Sequence, residues 1–267
     1  MNGFRLHRVL LVMLIVCIVS GVAFAQFGGR DRGRSRRPDL GVDVHGNTPY
    51  DGRFTFVRLR YDAGIGRFGN WLGNGGIPWS HDYPEGEVHF AKILEDISLL
   101  RCRDDGSNIL ALTDPELFNY PVAYMAEPGL WAVTPEEAKS FRAYLLKGGF
   151  VIFDDFRGWH WDNLQEQMRV VLPEAHWIQL DGNSKVFHSF FEIDHPEELA
   201  PPYGGEPASY WGLFEKNDPN KRMLAIANVN NDISEYWEFS DKGIYIVDLS
   251  NDAYKFGVNY VIYGLTH

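Results

Sequence analysis

The segment 134–155 constrains the fold of this chain more than any other part of its sequence. It begins with a helix-capping box at residues 134–137 (TPEE), continues through an apolar helical face and reaches the helix-terminating pair Gly148-Gly149. A continuous apolar run at residues 150–153 follows at once, as in a strand that is covered on both faces. Because a capped helix that leads directly into a buried strand is typical of βαβ units, we expect a parallel sheet.

Apolar periodicity and turn residues predict how strands and helices alternate along the rest of the chain. Strands are predicted at residues 54–61, 108–112, 121–125, 177–180, 222–229 and 243–247. One helix is predicted to open at residues 82–85, with Asp82 as its N-cap, and to extend to residue 100. Further helices are predicted at residues 163–172 and 252–265, and residues 201–207 are predicted to form a surface loop.

The sequence predicts three regions that differ in composition. Residues 1–25 have the basic start, the apolar run and the Ala23-Phe24-Ala25 triplet of a cleavable signal peptide. An uncleaved membrane anchor is the alternative, although the apolar run is short for a membrane span. Residues 26–50 are predicted to be a flexible Gly/Arg-rich arm, and residues 51–267 a single α/β domain. The protein is therefore expected to be exported, to the periplasm or outside the cell.

Charge argues against one class of function, and cysteine content against an intramolecular disulfide. The chain has a net charge of −11, and its arginine-rich leader and arm leave the folded part more acidic still. An acidic body repels phosphate backbones, so we expect no nucleic-acid binding, and membrane contact only through the leader or the basic arm. Cleavage of the leader leaves Cys102 without a partner for a disulfide, so we expect it to be a buried small hydrophobe.

Several blocks, in a consistent order, resemble one family of bacterial exported domains of unknown function (number 4159). The matching blocks are residues 56–61 (FVRLRY), 79–84 (WSHDYP), 144–155 (YLLKGGFVIFDD), 188–191 (HSFF), 231–232 (ND) and 257–263 (GVNYVIY). The resemblance implies a three-layer, doubly wound α/β fold with a mostly parallel sheet, similar to the class I glutamine amidotransferase-like group and to flavodoxin-like folds. Such amidotransferases carry a cysteine nucleophile after a central strand, whereas this chain has Asp154-Asp155 there. The resemblance therefore implies no amidotransferase chemistry.

Five polar residues are predicted to form a rim at the strand ends: Arg58, Asp82, Asp154, Asp155 and Asp232. In open parallel sheets, ligands bind at the carboxyl ends of the strands. Adjacent strand residues point to opposite faces, so we expect at most one of Asp154 and Asp155 to enter a given cleft. The alternative role for such an aspartate is to bond the backbone amides of the next turn. Arg58 is expected to pair with Asp82 and Asp154 or to hold an anion.

A metal site is the weaker interpretation of the histidines near this rim. His81, His89 and His160 together with Asp154 have ligand types that suit zinc or manganese. Their spacing matches no metal-binding motif, so the sequence predicts no metal site and no cofactor.

Two hypotheses about function follow from these residues. The first is non-enzymatic: a domain that binds a protein partner in the cell envelope, or a small ligand, at the strand-end rim. The alternative is a cell-envelope hydrolase that acts on a glycan or an ester, with Asp154 or Asp155 as the base and His160 or His81 as an assisting group or metal ligand. It is motivated by strand-end carboxylates beside the tryptophan-rich loop that contains Trp159 and Trp161.

Overall fold

The computed structural model describes residues 46–63 and 77–267, and within them seven strands form one sheet. The strands are β1 (Val57–Arg60), β2 (Asn108–Ala111), β3 (Val122–Ala126), β4 (Phe150–Phe156), β5 (Ile178–Gln179), β6 (Ser209–Phe214) and β7 (Met223–Val229). Their order across the sheet is β2-β1-β3-β4-β7-β6-β5. The strands from β2 to β7 in this order are parallel, while β6 and β5 are antiparallel additions at one edge.

Helices cover both faces of this sheet, so the predicted three-layer, mostly parallel α/β fold is confirmed. The helices are α1 (Glu85–Ile97), α2 (Pro135–Leu146), α3 (His160–Val171), α4 (Ile233–Glu238) and α5 (Val247–Thr266). Val151 and Phe153 belong to the core that includes α2 and α3. Ile152, one residue between them, belongs to the core on the other face, with α1, α4 and α5. This alternation explains why β4 is apolar at consecutive positions.

The capping box predicted at the start of α2 is present. Thr134 Oγ1 accepts from the backbone N–H of Glu137, and the Glu137 carboxylate accepts from the backbone N–H of Thr134. The helix ends just before Gly148, which has a φ of +122°. Cys102 is buried as predicted, and burial raises the pKa of its thiol to about 12.

Two predictions about local structure were wrong, one strand was missed and one helix boundary was shifted. Asp82 is not the N-cap of α1: Pro84 occupies the cap position, and Asp82 lies two residues before it with a φ of +61°. Residues 243–247 do not form a strand; Ile246 and Val247 are exposed, and α5 begins at Val247. The strand β6 was not predicted. The helix α3 also begins earlier than expected, at His160.

Some predictions concern residues outside the described ranges. The leader and most of the arm belong to this part of the chain, which also includes residues 64–76. Among the described residues, no helix has both the length and the apolar character needed to cross a membrane.

Candidate functional site

Polar side chains collect at the edge of the sheet where the parallel strands end. The turn between β1 and α1 contributes His81 and Asp82, and the residue after β3 is Glu127. Asp155 lies near the end of β4, and Asp232 follows β7. The connection after β1 leads towards one edge of the sheet and the connection after β3 towards the other, so a topological switch point lies between these two strands. Doubly wound folds bind ligands at such a point.

The backbone at this edge is unusual, because four of its residues that are not glycine have left-handed conformations. The φ angles are +61° at Asp82, +46° at Glu127, +59° at Asp155 and +59° at Asn230. The pairing of β4 with β7 also shifts register in the stretch that includes Asp155. Residues held in such conformations cluster at functional sites, where surrounding contacts compensate for the strain.

Asp154 has a structural role at this edge. Its carboxylate accepts hydrogen bonds from Tyr124 Oη at 3.0 Å, Asn228 Nδ2 at 2.9 Å and the backbone N–H groups of Ile233 at 3.0 Å and Ser234 at 3.1 Å. Burial raises the pKa of Asp154 to about 7, although these donors favour its ionised form. Asp154 therefore fixes the start of α4, which is the turn-bonding role considered above.

Asp155, the neighbouring carboxylate, joins a group that we call the His81 cluster: His81, Asp82, Asp155 and Asp232. His81 Nδ1 lies 2.5 Å from Asp155 Oδ2 and 3.5 Å from Asp82 Oδ1. One ligand atom from each of the four residues lies within 4.8 Å of the other three, so this set could hold a metal ion. Ser234 Oγ lies 2.6 Å from Asp82 Oδ2 and 3.1 Å from Asp232 Oδ1 and orients both carboxylates.

Negative charge dominates the His81 cluster. The Asp82 carboxylate, with a further contribution from Asp155, raises the pKa of His81 well above its usual range. Burial, followed by the charges of Asp155, Asp82 and Asp154, raises the pKa of Asp232 well above its usual range. His81 is thus the basic side chain that contacts two of these carboxylates directly.

Arg58 stabilises the backbone that carries two residues of the His81 cluster. Its side chain is buried, and its Nε lies 2.6 Å from Oε1 of the equally buried Glu87. Nη1 donates to the carbonyl oxygens of Trp79 at 3.0 Å and His81 at 2.7 Å. Arg58 therefore holds the turn that carries His81 and Asp82, and its ion pair is with Glu87 rather than with the two aspartates predicted from the sequence.

A cavity of about 370 Å³ opens beside the His81 cluster. Asp155 and Asp232 belong to both, whereas His81, Asp82, Asp154 and Arg58 do not line the cavity. The other walls come from Glu127, residues 156–158, His160, Asn230, Asn231 and the predicted surface loop at residues 201–206.

Burial alters the pKa values of Glu127 and His160 in this wall. Burial, followed by the charge of Asp155, raises the pKa of Glu127 to about 8. Burial lowers the pKa of His160. Sequence reasoning missed Glu127, although its position directly after β3 is the same kind of strand-end position that identified Asp154.

The metal-ligand set considered from the sequence does not come together. His89 Nδ1 bonds the carbonyl oxygen of Trp237 at 2.8 Å, and the carboxylate oxygens of Asp154 are committed to the start of α4. Of the two tryptophans near the rim, Trp161 packs against other aromatic rings and Trp159 is exposed.

Comparison with known proteins identifies the family of this chain but not a reaction. A family model described as a domain of unknown function (DUF4159) matches residues 55–265. No curated protein matches the chain. The matched region contains every residue of the His81 cluster and of the cavity wall.

Proposed function

The chain belongs to the DUF4159 family of domains of unknown function, and we propose that it is an exported domain that binds a small ligand in the cavity at the carboxyl edge of its sheet. The observation that carries this proposal is the cavity of about 370 Å³ that Asp155 and Asp232 share with the His81 cluster. Ligand sites have volumes of roughly 300–1,000 Å³ and lie at this edge of α/β sheets.

The cavity wall favours a ligand that is cationic or rich in hydrogen-bonding groups. Glu127, Asp155, Glu206 and Asp232 place carboxyl groups around it, and the Tyr203 ring offers an apolar surface. An organic anion would meet more acids than the one arginine of this wall, Arg157, can balance, which costs free energy in a partly buried site. Amines and polyhydroxylated compounds are therefore the ligand classes that this wall suits best.

A thermal unfolding screen with amines, sugars and organic anions tests this proposal. A ligand present at about 100 times its Kd adds about 2.7 kcal/mol to stability, which raises Tm by about 5 to 10 °C for a chain of this size. We expect amines or sugars, and not anions, to give such a shift. Tyr203→Ala should reduce it, whereas Tyr50→Ala should not, because Tyr50 has the same exposure but lies outside the cavity.

Two results would contradict the proposal. One is the absence of any shift among compounds of the three classes, tested with EDTA and again with Mn²⁺. The other is a ligand whose shift is the same in Tyr203→Ala as in the unmodified protein.

A second candidate function, hydrolysis of a cell-envelope glycan or ester, is favoured by the contact between His81 and Asp155. A carboxylate that orients an imidazole is an arrangement used for acid–base catalysis. Asp155 is the better of the two candidate bases, since Asp154 already accepts four hydrogen bonds. Substrate would enter the cavity that Asp155 lines.

Chromogenic esters and glycosides test the second candidate. If the His81–Asp155 pair performs the chemistry, His81→Gln should lower the rate by about 100-fold or more. The matched control is His195→Gln, because His195 also contacts a carboxylate but is exposed and outside the cavity. Rates equal to those of heat-inactivated protein, or equal rates in both variants, would refute hydrolysis at this site.

A further inference from the structure

The His81 cluster contains buried oxygen atoms that lack partners. Oδ2 of Asp232 and Oδ1 of Asp82 are buried and have no hydrogen-bond partner among the described residues. Oδ1 of Asp82 faces the imidazole of His81, at 3.5 Å from Nδ1. An unpartnered buried carboxylate oxygen costs several kcal/mol unless a cation or a proton satisfies it.

The charges around the cluster point to a cation as that missing partner. Asp82, Asp155 and Asp232 converge, and Asp154 lies directly behind them in β4. Arg58, the nearest buried guanidinium, is already paired with Glu87. Glu235 and Glu238 each place a carboxylate oxygen within 4.8 Å of one of Asp82, so α4 adds two further acids on this side.

We propose that His81, Asp82, Asp155 and Asp232 bind one divalent transition-metal ion, Mn²⁺ or Zn²⁺, at the inner end of the cavity. The set supplies one imidazole nitrogen and three carboxylate oxygens within 4.8 Å of one another. Imidazole suits zinc, and carboxylates suit manganese, whereas Ca²⁺ and Mg²⁺ prefer ligand sets made of oxygen alone.

The surroundings hold the ligands in place before any ion binds. The Ser234 hydroxyl contacts both Asp82 and Asp232, and Tyr124 Oη lies 2.6 Å from Ser234 Oγ. The Asp232 oxygen that contacts Ser234, Oδ1, also accepts from the backbone N–H of Glu235 at 3.0 Å. Such outer contacts orient metal ligands and tune their affinity by about 10- to 100-fold.

The position of the ligands gives the ion access to the cavity. Asp155 and Asp232 line the cavity, while His81 and Asp82 lie behind its wall. A site with ligands on one side and a cavity on the other keeps open positions for a ligand or water, unlike the closed sites of structural zinc. The proposed metal centre shares Asp155 and Asp232 with the ligand cavity, but His81 and Asp82 lie outside the cavity wall, so metal binding can be measured without a small ligand.

Titration of the metal-free full-length protein with Mn²⁺, followed by the loss of the free-ion electron paramagnetic resonance signal, tests the proposal. We expect one ion per chain, with displacement by Zn²⁺ and not by equal concentrations of Ca²⁺ or Mg²⁺. Asp232→Asn should weaken Mn²⁺ binding by at least about tenfold, because it removes the charge while asparagine still caps α4. The matched control, Asp114→Asn, changes another capping aspartate outside the cluster and should bind as the unmodified protein does.

Three results would overturn the metal proposal: no Mn²⁺ or Zn²⁺ binding, equal displacement by Ca²⁺ or Mg²⁺, or unchanged binding in Asp232→Asn. If Asp232→Asn does not fold, as judged by circular dichroism, Asp155→Asn replaces it, because the Asp155 side chain is partly exposed. Tyr203→Ala should leave Mn²⁺ binding intact. Failure of the small-ligand proposal is therefore recognised separately from failure of the metal site.

Discussion

The protein should lose stability as pH rises, and replacement of Glu127 by glutamine should make that loss smaller. Burial, followed by the charge of Asp155, raises the pKa of Glu127 from 4.5 to about 8. The folded state therefore binds this proton more tightly than the unfolded state does. The contribution of Glu127 to stability is fully present below pH 4.5 and is lost as pH rises through 8.

The size of this effect follows from the rise in pKa. A change from 4.5 to about 8 corresponds to a loss of about 5 kcal/mol across that pH range. Water that enters the cavity beside Glu127 screens its charge, so we expect a measured loss of about 2 to 5 kcal/mol. Glu127→Gln cannot ionise, and its free energy of unfolding should lack this component.

Urea unfolding, followed by tryptophan fluorescence in EDTA between pH 4 and about 9, measures the effect. Other buried acids with raised pKa values, such as Asp154 and Asp232, act in the same direction, so the difference between the two proteins isolates Glu127. Glu136→Gln, at an exposed position, is the matched control. A constant difference in unfolding free energy between Glu127→Gln and the unmodified protein over this range would refute the reasoning.

Three further substitutions test the contacts that position the site, each by the free energy of urea unfolding. Arg58→Met should cost about 3–5 kcal/mol, because it leaves the Glu87 carboxylate buried without its cation; adding Glu87→Leu should recover part of this loss, and no recovery would contradict the ion pair. Gly129→Ala should cost about 1–3 kcal/mol, since its Cβ would lie 2.1 Å from that of His160; an unchanged stability would show that α3 can shift freely. Thr134→Ala should cost about 1 kcal/mol through loss of the capping box, and a cost near zero would contradict that role.

Short-range sequence patterns predicted α2 and β4 at the centre of the fold. The strand β6 was missed because it depends on tertiary contacts. The capping box and Gly148-Gly149 act within one segment, so α2 and β4 could be predicted from that segment alone. The strand β6 contains Gly212, a residue that weakens a strand pattern. A Cβ at Gly212 would lie 2.7 Å from the Phe214 ring, so the reason for glycine there is packing that no local pattern shows.

The strand-end rule placed Asp154, Asp155 and Asp232 near one edge, but it could not assign their separate tasks. Asp154 is taken up by the backbone of α4, a segment far along the chain. Glu87 lies inside a helix, where an acidic residue usually faces solvent, and only the packing of α1 against β1 shows that it pairs with Arg58. These assignments depend on which distant segments meet, and that information is not contained in residue spacing.

At the carboxyl edge, the residues with left-handed conformations lower the stability of the fold, yet they include carboxylates of the candidate site. Each of Asp82, Glu127, Asp155 and Asn230 holds a conformation that glycine adopts without strain and that costs other residues about 1 kcal/mol or more. Glu127 has the least suitable side chain, because aspartate and asparagine tolerate this region better. A library of variants selected only for heat resistance should therefore accumulate glycine at these positions and lose the carboxylates first.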